Sequence, residues 1–165
     1  MTLILVIASV AAGAMTVNAA LPAVVRSSNA IVRSSDKVDD RIETQISIVF
    51  ATGELDSLGV WQDQDADGKF DITLWVKNVG PSRILDVKAL DVFVGRDGTL
   101  KRIPYVDDSG GSFPSWTYSL ENGTEWKNAV TLKIQVHYTA AQASGTYLAK
   151  VITASGSYDE QYFSF

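Results

Sequence analysis

VTLKIQVHYT, residues 130–139, alternates without a break. Val130, Leu132, Ile134, Val136 and Tyr138 fall on one side of an extended chain, and Thr131, Lys133, Gln135, His137 and Thr139 fall on the other. Successive side chains of a strand point to opposite faces, so this pattern predicts a strand with one buried face. FDITLWVKN (70–78) repeats it, with Phe70, Ile72, Leu74 and Val76 inward. Further strand-like runs are ISIVFA (46–51), ILDVKALDVFVG (84–95), TYLAKVITA (146–154) and EQYFSF (160–165). Turn pairs separate them: Asp67-Gly68, Gly80-Pro81, Asp97-Gly98, Gly110-Gly111, Asn122-Gly123 and Ser144-Gly145. Short strands at this spacing, with no helical period between them, predict an antiparallel all-β sandwich or barrel over residues 46–165.

Composition narrows the function classes. The chain of 165 residues carries a formal net charge of −5 and has no basic cluster, so no surface is available to neutralise nucleic-acid phosphates. It has no cysteine, which excludes disulfides and thiolate metal sites. Four Trp, six Tyr and six Phe give ample material for a folded core.

Upstream of the strands the text changes character. MTLILVIASVAAGAMTVNAALPAVV (1–25) contains no charged side chain, and Arg26 is the first charge. A secretion signal needs a basic start, and none precedes this run. A membrane span is long enough, because twenty-five residues at about 1.5 Å each reach roughly 37 Å. Ala8, Ser9, Ala11, Ala12, Gly13, Ala14, Ala19 and Ala20 are small, however, and Ser9 to Gly13 is a small-x-x-x-small step. Small residues let helix backbones approach closely, so the segment reads as built to pack against copies of itself. The self-assembly residues expected are Leu3, Ile4, Val6, Ile7, Ala8, Val10, Ala12, Gly13, Met15, Val17 and Leu21.

After Pro22 the apolar positions Val24, Val25, Ile31, Val32, Val38, Ile42 and Ile46 recur at helical intervals, with Arg26, Arg33, Lys37, Asp40 and Arg41 between them. An ordinary helix docked on its own domain would carry such a pattern too. The chain is thus expected to be α+β. A long N-terminal helix over 1–45, hydrophobic and then amphipathic, precedes the antiparallel β-domain over 46–165.

Three local motifs carry chemistry. DQDADGKFD (63–71) places Asp63, Asp65, Asp67 and Asp71 at the first, third, fifth and ninth positions of a calcium-type loop. Gly68 allows the turn there, and Lys69 is positioned to offer its backbone carbonyl. The twelfth position is Leu74 where a bidentate Glu is needed, and no helical pattern flanks the loop, so this is no EF-hand. The plain alternative is an acidic hairpin turn, screened by solvent. Asn122-Gly123-Thr124 is the one N-x-S/T sequon, readable as a glycan acceptor at Asn122 or as an Asn-Gly hairpin turn. His137 is the sole histidine, on the polar face of its strand, and reads as an exposed strand residue. With no G-x-S-x-G elbow and no phosphate loop, no catalytic residue is expected.

A charge-free N-terminal helix joined to one all-β domain resembles the archaeal flagellin (archaellin) superfamily, whose N-terminus is similar to that of type IV pilins. LWVKNVG (74–80) is similar to the V-K-N-x-G strand-to-turn text of that superfamily. GTYLAKVITASGSYDEQYFSF (145–165) resembles its closing hairpin, especially in the FlaF/FlaG-like stator members. Pilin-like N-termini often carry Glu at the fifth mature position, and this chain has Leu5. Either this branch dispenses with the acid or Met1 is not the family's mature start.

The resemblance implies a precursor cut by a prepilin-type peptidase and held in the membrane before assembly. The archaellum motor and platform proteins would then polymerise it into an extracellular, glycosylated motility filament, a helical homopolymer without catalysis. The alternative it implies is a membrane-anchored stator or accessory protein whose β-domain binds the cell envelope, such as the S-layer.

Overall fold

The computed structural model describes residues 25–96 and 98–164. Residues up to Asp39 and from Asp40 onward form separate compact units. Residues 25–43 are helical, in keeping with the amphipathic half of the expected helix. Its apolar opening, with the self-assembly residues from Leu3 to Leu21, lies outside the described residues. No described helix is long and apolar enough to cross a membrane.

Eight strands follow: β1 (Ile46–Gly53), β2 (Phe70–Asn78), β3 (Asp91–Arg96), β4 (Lys101–Ile103), β5 (Ser115–Leu120), β6 (Thr131–Tyr138), β7 (Thr146–Ile152) and β8 (Tyr158–Ser164). They form two open four-stranded sheets, ordered β1-β2-β6-β5 and β4-β3-β7-β8, with every neighbouring pair antiparallel. The sandwich is thus the form the alternating text takes. The alternation of β2 and β6 does what it predicts. Ile72, Leu74, Val76, Leu132, Ile134 and Val136 are fully buried, and they share one core with Val92, Val94, Ala149 and Val151 of the other sheet. Each such Val, Leu or Ile side chain contributes about 1.5–3 kcal/mol through burial.

The run 84–95 is not one strand. Ile84 bridges to Trp126, Val87–Ala89 is a single 3₁₀ turn, and pairing resumes at Asp91. Val87 and Leu90 are both buried three residues apart, a spacing that suits a 3₁₀ turn better than a strand. The short β4 and the Ser/Thr-rich β5 escape the sequence reading. Yet β5 alternates Trp116, Tyr118 and Leu120 and buries Trp116 completely.

The motif Val76-Lys77-Asn78-Val79-Gly80 is the junction of the domain. Asn78 is fully buried. Its Nδ2 donates to Ser82 O (2.9 Å) and Trp126 O (3.0 Å), and its Oδ1 accepts from Gly80 N (3.0 Å). Val79 N and Gly80 N both donate to Gln45 O, and Ser82 N donates to Glu43 O, which satisfies a carbonyl at the helix C-terminus. A Cβ on Gly80 would stand 2.2 Å from Glu43 O and 2.7 Å from Gln45 N, so only glycine fits this crossing. Asn78→Ala would remove the side-chain donor from the part-buried Ser82 O and leave Trp126 O with Ile84 N as its remaining donor. It is expected to destabilise the β-domain by about 3 kcal/mol, read as a lower urea midpoint at unchanged slope.

Candidate functional site

β2 and β6 pair Asp71 directly with His137 on the outer face of the first sheet, and β5 sets Thr117 opposite Gln135 one row along. Asp71 is buried at 3% exposure, although it lies on the face away from the core. Its Oδ1 lies 2.7 Å from His137 Nδ1, and its Oδ2 accepts from Gln135 Nε2 at 3.3 Å. His137 Nε2 is 2.8 Å from Thr117 Oγ1. A carboxylate at Nδ1 holds the proton there in the neutral ring, so Nε2 accepts from the Thr117 hydroxyl. The expected exposed histidine is therefore corrected. Its side chain is only 11% exposed and serves as partner to a buried acid. Both residues were visible as outward positions of recognised strands, but the register that makes them opposite was not.

The acidic turn lies just before β2. The structure brings Asp63, Asp65 and Asp67 together, with one oxygen of each within 4.8 Å of the others. Asp71 belongs to the His137 cluster instead. Asp63 accepts from Asp67 N (3.2 Å) and Gly68 N (2.8 Å), and Asp67 accepts from Lys69 N (2.9 Å). Lys69 enters the site through its ammonium, 2.5 Å from Asp67 Oδ2. That hydrogen bond lowers the Asp67 carboxyl below its ordinary range and raises the Lys69 amine. Three carboxylates suit a hard cation such as calcium, and the ammonium is already their counter-charge.

Glu54, at the end of β1, faces the same charges. Burial pushes its carboxyl above the ordinary 4.5, Asp71 and Asp65 add repulsion, and the backbone N–H groups of Asp71 and Gln64 oppose the rise. Asn122 is exposed between β5 and β6. Its Oδ1 accepts from Thr131 N (2.8 Å) and its Nδ2 donates to Ala129 O (3.3 Å), so the side chain bridges that connection. In the helix, Val25 and Val32, seven residues apart, and Ile31 and Val38, again seven apart, are all more than half exposed.

Two open antiparallel sheets thus follow a helix with exposed apolar rows. The chain belongs to the archaeal-type flagellin family, whose model matches residues 1–163. An uncharacterized protein of Archaeoglobus fulgidus is 29% identical over 174 residues, covering 99% of this chain and 96% of that one. Two solved structures from Sulfolobus acidocaldarius share the fold at 21% identity. The archaellum periplasmic stator protein FlaG matches with TM-score 0.56, over 73% of this chain and 99% of that one. A chain of the archaellum periplasmic stator protein complex FlaF and FlaG matches with TM-score 0.55, over 73% and 89%.

Two predictions follow from the charges. The folded chain keeps the Glu54 proton to a higher pH than the unfolded chain does, so stability is lost as pH rises from the ordinary 4.5 through the raised value. Glu54→Gln is expected to melt higher than the native chain at neutral pH, and the two should converge well below 4.5. Calcium at the acidic turn has to displace the Lys69 ammonium. Lys69→Ala should therefore gain more in melting temperature than the native chain at equal millimolar calcium. Equal or absent gains would leave the turn closed on its own counter-charge.

Proposed function

We propose that this chain is an accessory, stator-like protein of the archaellum. Its apolar N-terminal segment (within 1–45) holds it to the membrane, and its β-domain (46–165) binds a static partner in the cell envelope, such as the S-layer, outside the cytoplasm. The observation that carries this reading is the likeness of the sandwich to FlaG over nearly all of that protein. Membership of a family of structural archaellum components supports a role without catalysis. The Thr117–His137–Asp71 chain has the order of a hydrolase relay, but its economy is that of a buried carboxylate kept satisfied. Asn122 is the acceptor for a glycan under this reading, on an exposed connection.

A second reading, the filament subunit, rests on one specific feature. The small residues from Ala8 to Ala20 and the exposed rows Val25/Val32 and Ile31/Val38 suit a helix packed among copies of itself. Here the apolar segment would leave the membrane for the core of a homopolymer built by the motor and platform proteins.

The two readings part in one experiment. Sheared filaments and washed envelopes from the same cells are compared by mass spectrometry, with crosslinking of the envelope fraction. The chain is expected in the envelope fraction, crosslinked to a surface-layer protein, at far lower copy number than the filament subunit. A chain that dominates the sheared filaments would overturn the accessory role.

A further inference from the structure

The β3–β4 hairpin, the Phe113–Pro114 turn and the β6–β7 connection enclose a cleft of about 380 Å³ at one end of the sandwich. That volume lies within the range of small-molecule sites, about 300–1,000 Å³. Val94, Ile103 and Tyr147 are buried beneath it, while Phe113 presents a half-exposed ring. Among the described residues, the two charged ones that line it are Arg96 and Lys101, both positive, in a chain of net charge −5. Neither makes a salt bridge among the described residues.

The cationic side is built into the fold. Arg96 Nη2 donates to Ala143 O (3.2 Å) and to Ser144 O, and its guanidinium lies over the Tyr147 ring with 5.8 Å to the centroid. Gly145, at φ 147°, lets the loop wrap this group, for a Cβ there would meet Nη2 at 3.1 Å. Tyr147 Oη donates to Ala143 O at 2.7 Å and so ties the same loop. A guanidinium carries five N–H donors, and these bonds engage one nitrogen. Lys101 adds a second cation from β4. Thr99, Thr139 and Gln142 supply neutral donors and acceptors. Burial pushes the Tyr138 phenol up to about 12, so at neutral pH it stays an uncharged donor.

A bare inorganic anion would use the cations and leave the half-exposed Phe113 ring idle. An apolar ligand would leave two cations unanswered. A ring with an apolar C–H face, several hydroxyls and one carboxylate answers all three kinds of wall. We infer that this cleft binds a carboxylated sugar of the uronic-acid class, free or as the end residue of an acidic glycan. The inference is independent of the stator reading, because it rests on the cleft alone.

Isothermal titration of the full chain in detergent tests it with four probes: glucuronate, a glucuronate-ended oligosaccharide, the matching neutral oligosaccharide, and inorganic phosphate. The acidic sugars should bind at least about tenfold more tightly than the neutral one, the worth of one charge-assisted hydrogen bond, and weaken as salt is raised. Tighter binding of the oligosaccharide assigns a glycan end, and equal binding assigns the free sugar. Lys101→Gln and Phe113→Ala, both at exposed positions, should each weaken the acidic sugar and leave the melting temperature in place. Phosphate binding as tightly as glucuronate, neutral sugar matching it, full affinity in both variants, or no heat at millimolar ligand would each overturn the assignment.

Discussion

The Asn78 amide is the constraint on which the rest of the domain depends. A strand that leaves a sheet takes unpaired backbone groups with it, and here three segments meet at that exit: the helix end, the β2–β3 connection and the loop carrying Trp126. One planar side chain, with two N–H donors and a carbonyl, reaches two of these carbonyls and one N–H at once. Gly80 then lets the chain pass so near Glu43 that no side chain fits between. The helix end is fixed at this crossing by hydrogen bonds from Val79, Gly80 and Ser82. The V-K-N-x-G text is thus a structural latch.

The outer face of the first sheet shows a second economy. A sheet face turned from the core normally stays wet, yet Asp71 and Thr73 are buried there. Asp71 is tolerable only because His137 and Gln135 stand beside it, and Thr117 completes the histidine. The chain spends its one histidine on this purpose. The same choice removes Asp71 from the acidic turn, so three carboxylates converge there, one of them paired with Lys69, where the spacing promised four.

Legibility follows from which forces are local. β2 and β6 were readable to the residue or nearly so, because a period of two against one core leaves its trace in the text. The 84–95 segment misled because Val87 and Leu90 keep apolar spacing while bending out of the strand. β5 hid behind Ser and Thr, although Trp116 sits at the centre of the core. The His137–Asp71 pair was beyond sequence reading, since it depends on register between residues 66 positions apart in the chain. Lys69 was read for its carbonyl, and its ammonium is what meets the acids, a side-chain choice that spacing does not encode. The cleft is further still from the text, being assembled from three connections with nothing in common but their end of the sandwich.

How such a domain joins others is limited by its edges. An open sandwich has four edge strands, each a template for strand addition. Here the seams are guarded. Ile48 N of β1 donates to Asp159 Oδ2 of β8 at 2.7 Å, and the ladder of β1 is offset between Ile48 and Phe50. On the other side Trp116 N of β5 donates to Pro104 O just after β4, and Tyr105 bridges to Trp116. Along β8, Asp159 and Glu160 add charge that an incoming strand would have to desolvate. Edge pairing is therefore a poor route to assembly for this fold. The surfaces that remain are the basic cleft, the Phe50–Trp75 pair on the outer face with rings 5.5 Å apart, and the apolar rows of the helix. A module whose sheets are closed to addition has to hold its partners by side chains.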